Sequence, residues 1–190
     1  MLKHMISTIF VLLLTLPVAA VEVGDDGLHK PDWLHMTFKD MSEDLADATD
    51  AGKRLVVIFE QRGCIYCTKM HNEVFPVPEI NTMLREDFFV VQMNLFGDEE
   101  VVDFDGTVLS EKQMAKRWGV FFTPTILFMP ETAPESGNAA QGAVATIPGA
   151  FGKGTTFDVL EWVLAKGYET GEHFQKYHAR KINERRAASE

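Results

Sequence analysis

Two stretches restrict the fold of this chain more than any other feature: residues 55–59, Leu-Val-Val-Ile-Phe, and residues 88–95, Phe-Phe-Val-Val-Gln-Met-Asn-Leu. A strand with one face in water alternates apolar and polar side chains. A near-continuous run of β-branched and aromatic residues instead suits a strand covered on both faces. Such cover has to come from helices, and the flanking sequence can supply them. Residues 40–51 place Met41, Leu45 and Ala48 on one helical face, and Gly52 stands where a helix stop is expected. Residues 155–166 place Phe157, Leu160, Val163 and Leu164 at core spacing. Between the two apolar runs, a helix is expected from Cys64 to about Phe75, then Pro76 and Pro78, then a short helix over 79–85. Further strands are expected at 33–38, 125–129 and, as an edge, 143–147. Ser110-x-x-Gln113 is a capping-box signature opening a helix that stops at Gly119. Strands alternating with helices mean an α/β fold with a central mixed sheet flanked by helices. The two apolar runs with the Cys64 helix make a right-handed βαβ unit.

The first residues are set aside from the fold. Lys3 and His4 precede an apolar stretch over 6–16, followed by Pro17 and the small residues Val18, Ala19 and Ala20. This pattern fits a cleavable secretory signal peptide over 1–20. The rival is an uncleaved anchor, but spanning a bilayer takes about 20 apolar residues and this stretch is shorter. The expected plan is a linker over 21–32, one domain over 33–168 and a charged helical extension over 169–190. A chain of 190 residues with 46% apolar content can bury one core without disulfide staples. The net charge is −10, which argues against binding nucleic acid through its phosphates.

The chain has two cysteines, in Cys64-Ile65-Tyr66-Cys67, directly after one expected strand and at the start of a helix. The first helical turn offers unpaired N–H groups and a positive dipole end, both of which stabilise a thiolate. Cys64 is placed to attack a partner disulfide and Cys67 to resolve the mixed disulfide. Closing so short a loop contributes little to stability, which favours reversible chemistry over stapling. Two other readings stay open. One is an inert structural disulfide. The other is a metal or sulfur-carrier site with His71, four residues past Cys67, as a third ligand, although a structural zinc site needs four. His71 is otherwise expected to be a surface histidine. Thr123-Pro124-Thr125 opens the third strand, and a cis peptide facing the cysteines is expected there, leaving the backbone of Thr123 free to pair with an extended substrate. Asp98, Glu99, Glu100, Asp103 and Asp105 read as a solvated acidic loop over 97–107, with an irregular hairpin as the alternative. Trp118 and Trp162 read as core, and Phe121 and Phe122 as packing residues or the wall of a substrate groove.

Together, Phe59-Glu60-Gln61-Arg62-Gly63-Cys64-Ile65-Tyr66-Cys67, Asp103-Phe104-Asp105-Gly106 and Phe122-Thr123-Pro124-Thr125 resemble the SoxW-type periplasmic thioredoxins. The resemblance runs from about Trp33 to Glu131. It implies a thioredoxin fold with an acidic loop insertion and a C-terminal helical extension. It implies a periplasmic disulfide reductase of thiosulfate oxidation, with the Cys64–Cys67 pair as its redox group and no external cofactor. It also implies a membrane electron donor of the CcdA or SoxV kind and a sulfur-carrier protein as target. Thioredoxins carry a buried Asp six residues before the first cysteine, and this chain has Ile58 there. Glu60, two residues on, shares that strand face. It stands either as the substitute proton acceptor for Cys67 or as a surface acid at the strand end. Ile65 and Tyr66 replace the usual residues between the cysteines, which leaves the redox direction open, and a thiol oxidase or isomerase is the alternative.

Overall fold

A computed structural model describes residues 21–135 and 137–189. The signal-peptide reading of residues 1–20 therefore lies outside the described residues. Four strands form the sheet, in the order β2 (Phe88–Asn94), β1 (Arg54–Glu60), β5 (Thr125–Phe128), β6 (Ala145–Pro148). β1 and β2 pair in parallel, with Glu60 opposite Asn94. β5 runs antiparallel to β1 and β6 antiparallel to β5. The parallel pair requires a crossover. Here it consists of α2 (Ile65–Lys69), a π-helical turn (Met70–Val74) and α3 (Pro78–Glu86).

Alternation along β1 divides the core. Leu55, Val57 and Phe59 face one cluster with Met41 and Leu45 of α1 (Met41–Asp50) and Met114 of α4 (Glu111–Arg117). Val56 and Ile58 face the other, with Met70, Ile80 and Val159, the last from α6 (Lys153–Leu164). Burying a side chain such as Phe59 or Ile58 contributes roughly 1.5–3 kcal/mol, so both helical layers are held by the sheet. By the same alternation, Glu60 lies on the α2 side.

α1 starts where its cap dictates: the Asp40 carboxylate accepts from the N–H groups of Ser42 and Glu43. Gly52 follows with φ +69°, a backbone state that suits glycine. The capping box of α4 is present at Ser110 and Gln113. Trp118 and Trp162 are buried.

Four local expectations are corrected. Residues 33–38 make no strand; Leu34 forms a single parallel bridge to Val90. Residues 21–32, expected as a linker, close a turn through a Val23–His29 bridge and bury Leu28 and His29 against the domain. Its polar, glycine-containing composition hides those two anchors. Between the strands expected at 125–129 and 143–147, where no helix is expected, a short one forms, α5 (Ala139–Gly142). The acidic insertion forms a hairpin, β3 (Glu100–Val102) with β4 (Val108–Ser110), and its acids are not all solvated. Asp103 is buried: Oδ1 accepts from the N–H groups of Phe104 and Ala139, and Oδ2 from Arg117 and the Trp118 indole. Asp98, Glu99 and Asp105 pair with Lys112, Lys39 and Arg117. The C-terminal helix, α7 (Phe174–Ala187), lies on α6 with none of its residues fully buried.

Candidate active site

β1 ends at Glu60, and the turn through Gly63 (φ +72°) brings Cys64 to the N-cap of α2. Cys64 and Cys67 are joined as a disulfide with Cα atoms 5.2 Å apart. Cys64 is 7% exposed and Cys67 fully buried, so only Cys64 meets solvent. Its Sγ accepts from the backbone N–H of Cys67 at 3.0 Å and from the Thr123 hydroxyl at 3.2 Å. One donor from the start of α2 and one from the head of β5, aimed at the same sulfur, favour the thiolate form.

The Thr123–Pro124 bond is cis, and both residues are buried at the head of β5, beside β1. The rim is apolar and open: Ile65 and Tyr66 on one side, Phe121 and Phe122 ahead of Thr123, all exposed. The packing alternative for Phe121 and Phe122 is thereby removed.

Behind the disulfide lies a buried polar cluster. Glu60 is fully buried, not a surface acid. Its Oε1 is 2.7 Å from His71 Nε2, and its Oε2 accepts from the Gln92 amide at 2.8 Å and lies 3.6 Å from His29 Nδ1. Burial alone pushes this carboxyl up. Hydrogen bonds and charge from His29 and His71 outweigh it and hold the group down at about 2. Lys30 holds the Gln92 carbonyl at 2.8 Å, which keeps the amide donors turned toward Glu60 and the His29 carbonyl. His29 Nε2 meets the Thr68 hydroxyl at 3.2 Å, and that hydroxyl also bonds the Cys64 carbonyl.

His71, expected at the surface, is instead 1% exposed. The cause is local. Cys67, Met70, His71 and Val74 recur at i, i+3, i+4 and i+7, so His71 shares the buried face of the helix. The sequence signals for this cluster were the polar Gln92 inside an apolar strand and the i,i+4 spacing of Cys67 and His71. His29, from the N-terminal segment, carried no signal.

His29, Glu60 and His71 place three donor atoms within 4.8 Å of one another. A metal shared by both histidines would have to lie in both ring planes, where the lone pairs point. The rings are stacked, with centroids 4.2 Å apart and an 18° tilt, so the two planes run side by side. Each ring faces a different carboxylate oxygen. As arranged, the trio is a clamp on a carboxylate rather than a chelate.

A dithiol/disulfide pair at a helix start, a strand-head proline beside it and a mixed four-stranded sheet together define a thiol–disulfide oxidoreductase of the thioredoxin fold. The thioredoxin-like domain family matches residues 41–148, and the chain belongs to that family. The redox group in this family is the cysteine pair itself, no external cofactor is needed, and protein thiols or disulfides are the reactants. Among solved structures, a thioredoxin-fold protein from Helicobacter pylori is similar at 20% identity and TM-score 0.60, covering 80% of this chain and 94% of its own. A thioredoxin from Thermus thermophilus is similar at 24% identity and TM-score 0.52, covering 72% and 95%. No curated protein sequence matches the chain.

Proposed function

We propose that this protein is a periplasmic disulfide reductase of the SoxW type, exported by the leader over residues 1–20. Cys64 is its nucleophile and Cys67 its resolving thiol. The observation that carries the assignment of roles is the contrast between a Cys64 sulfur with two donors and a solvent edge and a wholly buried Cys67. Ile65, Tyr66, Phe121 and Phe122 favour a protein segment over a small thiol as substrate, because an apolar rim gains from desolvation on contact. Thr123 offers its backbone to that segment, Pro124 backs the sulfurs with a group that neither donates nor ligates, and Glu60 sustains proton movement at Cys67. The direction and the pathway rest on the resemblance of residues 59–67, 103–106 and 122–125. These support electron supply by a membrane thiol transporter of the CcdA or SoxV kind and a sulfur-carrier protein of thiosulfate oxidation as target.

Equilibration of the Cys64–Cys67 couple against glutathione redox buffers tests the direction. A potential well below the glutathione pool is expected; one near the strongly oxidising exchangers would make the protein an oxidase. Expressing Cys67→Ser in a thiosulfate-oxidising host tests the roles and the target. It is expected to accumulate mixed disulfides that include the sulfur carrier, while Cys64→Ser accumulates none. Equal trapping by both variants would reverse or void the assignment.

A further inference from the structure

His71 Nδ1 is buried and has no hydrogen-bond partner among the described residues. Such orphaned atoms are rare in folded proteins and call for a reason. The other ring nitrogen is fixed: Nε2 lies 2.7 Å from Glu60 Oε1, and an ionised carboxylate can only accept, so Nε2–H is the donor of that hydrogen bond. In the neutral form of the ring, Nδ1 is then a bare lone pair whose far side is hydrogen-bonded to an anion. The same arrangement makes histidine a general base elsewhere, because the carboxylate fixes the tautomer and stabilises the imidazolium that forms.

The missing partner is close in the chain. Cys67 and His71 are at i and i+4 on one helix, both buried. Residues at this spacing are neighbours, and helical side chains lean toward the N-terminus, which for His71 means toward Cys67. In the disulfide form Cys67 has no proton to give, so Nδ1 stands empty. In the dithiol form the Cys67 S–H is the donor it lacks.

We infer that His71 Nδ1 is the proton acceptor for Cys67 in the resolving step, with Glu60 and His29 as the residues that position and charge-balance it. This rests on the reading of Cys67 as the resolving thiol. The Cys67 S–H proton passes to His71 Nδ1. The Cys67 thiolate attacks Cys64 Sγ of the mixed disulfide, and the Cys64–Cys67 bond forms as the bond to the partner sulfur breaks. The partner leaves with that electron pair as a thiolate and takes its proton from water. The dithiol is oxidised by two electrons and the partner disulfide reduced by two. His71 then releases its proton as the site opens to solvent.

The surroundings set which group titrates. Glu60 faces His71 from β1 and His29 stacks on it from the N-terminal segment. Trp33 and Phe75 complete the apolar wall. His71, Trp33 and Phe75 also line a cleft with Glu22, Lys30, Asp32 and Arg85, the last two paired to each other. Glu60 is ionised throughout the neutral range, so a carboxylate in its position does not supply a pH response there. Imidazole is the side chain that changes charge between pH 5 and 8.

The test uses the reduced full-length mature protein and glutathione disulfide as the probe, with acid quench and mass analysis to separate mixed-disulfide formation from its resolution. In wild-type protein the resolution rate is expected to show an inflection between pH 5 and 8. In His71→Gln, whose amide can still donate to Glu60, resolution is expected to fall at least tenfold at pH 7 and to lose that inflection. Mixed-disulfide formation at Cys64 should stay within twofold of wild type. Glu60→Gln is expected to move the inflection to lower pH, because loss of the anion makes the imidazole less basic. Ring-labelled histidine NMR of the unmutated protein gives a second readout independent of any folding defect: His71 should titrate differently in the dithiol and disulfide forms. An unchanged inflection in folded His71→Gln, or identical His71 titration in both redox states, would overturn the inference and leave the oxidoreductase reading standing. Failure of wild-type Cys64 to form the mixed disulfide would remove the assignment of roles and this inference with it.

Discussion

Three polar partners from three segments converge on the Glu60 carboxylate behind the disulfide: His71, Gln92 and His29. The linkage sign is set by its low value. The folded carboxyl titrates at about 2 against an ordinary 4.5, so its ionised form stabilises the fold at every pH above 4.5. That contribution is lost as the pH falls from 4.5 toward 2. A shift of this size corresponds to on the order of 3 kcal/mol. Urea denaturation of the oxidised protein between pH 7 and pH 2 should therefore show a steep acid limb. Glu60→Gln should flatten it, with a lower stability at pH 7 that converges on wild type near pH 2. Parallel acid limbs in the two proteins would show that Glu60 carries no linked proton. Alternation along β1 was enough to place Glu60 on the α2 face, because β1 is regular. Its partners were not legible, because His29 lies on an irregular segment whose position depends on tertiary bonds: Arg62 to the Asp25 carbonyl, and Gln92 to the His29 carbonyl.

At the scale of elements, the legible parts are those set by local rules. Apolar runs gave β1 and β2, the spacing of Met41, Leu45 and Ala48 gave α1, the Ser110 cap gave the start of α4, and Gly52 gave a stop. The illegible parts are those where a polar side chain joins elements far apart in sequence. Asp103 is the clearest. Read along the chain it belongs to an acidic loop; in space its two oxygens tie the β3–β4 hairpin to α4 through Arg117 and Trp118 and to α5 through the Ala139 N–H. Charge counting cannot separate it from Asp105, which stays nearer the surface on the same Arg117. Asp103→Ala should leave the Trp118 indole N–H and the Ala139 N–H buried without acceptors. An unsatisfied buried donor costs about 1–3 kcal/mol, so a loss of roughly 2–6 kcal/mol is expected from two. Equilibrium urea unfolding measures it, and a loss below 1 kcal/mol would mean that the hairpin relaxes to let water in.

Across the whole molecule, the family-matched domain ends at residue 148, and the two long helices beyond it are attached by different means. α6 is held by apolar packing, with Val159, Leu160 and Val163 in the core. α7 has no fully buried residue; its charged, apolar-poor sequence reads as either a peripheral helix or a frayed tail, and it forms a helix. Its hold on α6 is largely polar: Lys181 and Tyr177 bond Glu161 nearer the surface, and the buried link runs through a second carboxylate. Asp158 is fully buried and accepts from both terminal nitrogens of Arg185, at 2.7 and 2.8 Å, and from His178. Phe174 adds an edge contact to Trp162. Burial raises the Asp158 carboxyl, and bonds from Arg185 and then His178 more than reverse it, so its value lies below the ordinary carboxylate range. Arg185→Ala removes the stronger partner while α7 still covers the carboxylate. The guanidinium is nearly half exposed, which screens its charge and limits the expected loss to about 1–2 kcal/mol at pH 7. The sign fixes the pH window. A depressed carboxyl stabilises the fold above its ordinary value of 3.8 and ceases to do so as it protonates below that. The gap between wild type and Arg185→Ala should therefore be full at pH 7 and close toward pH 3. Because α7 supplies no residue to the disulfide site, mixed-disulfide formation at Cys64 should be the same in both proteins. A gap that persists undiminished at pH 3 would mean that Arg185 holds α7 through its apolar stem rather than through Asp158.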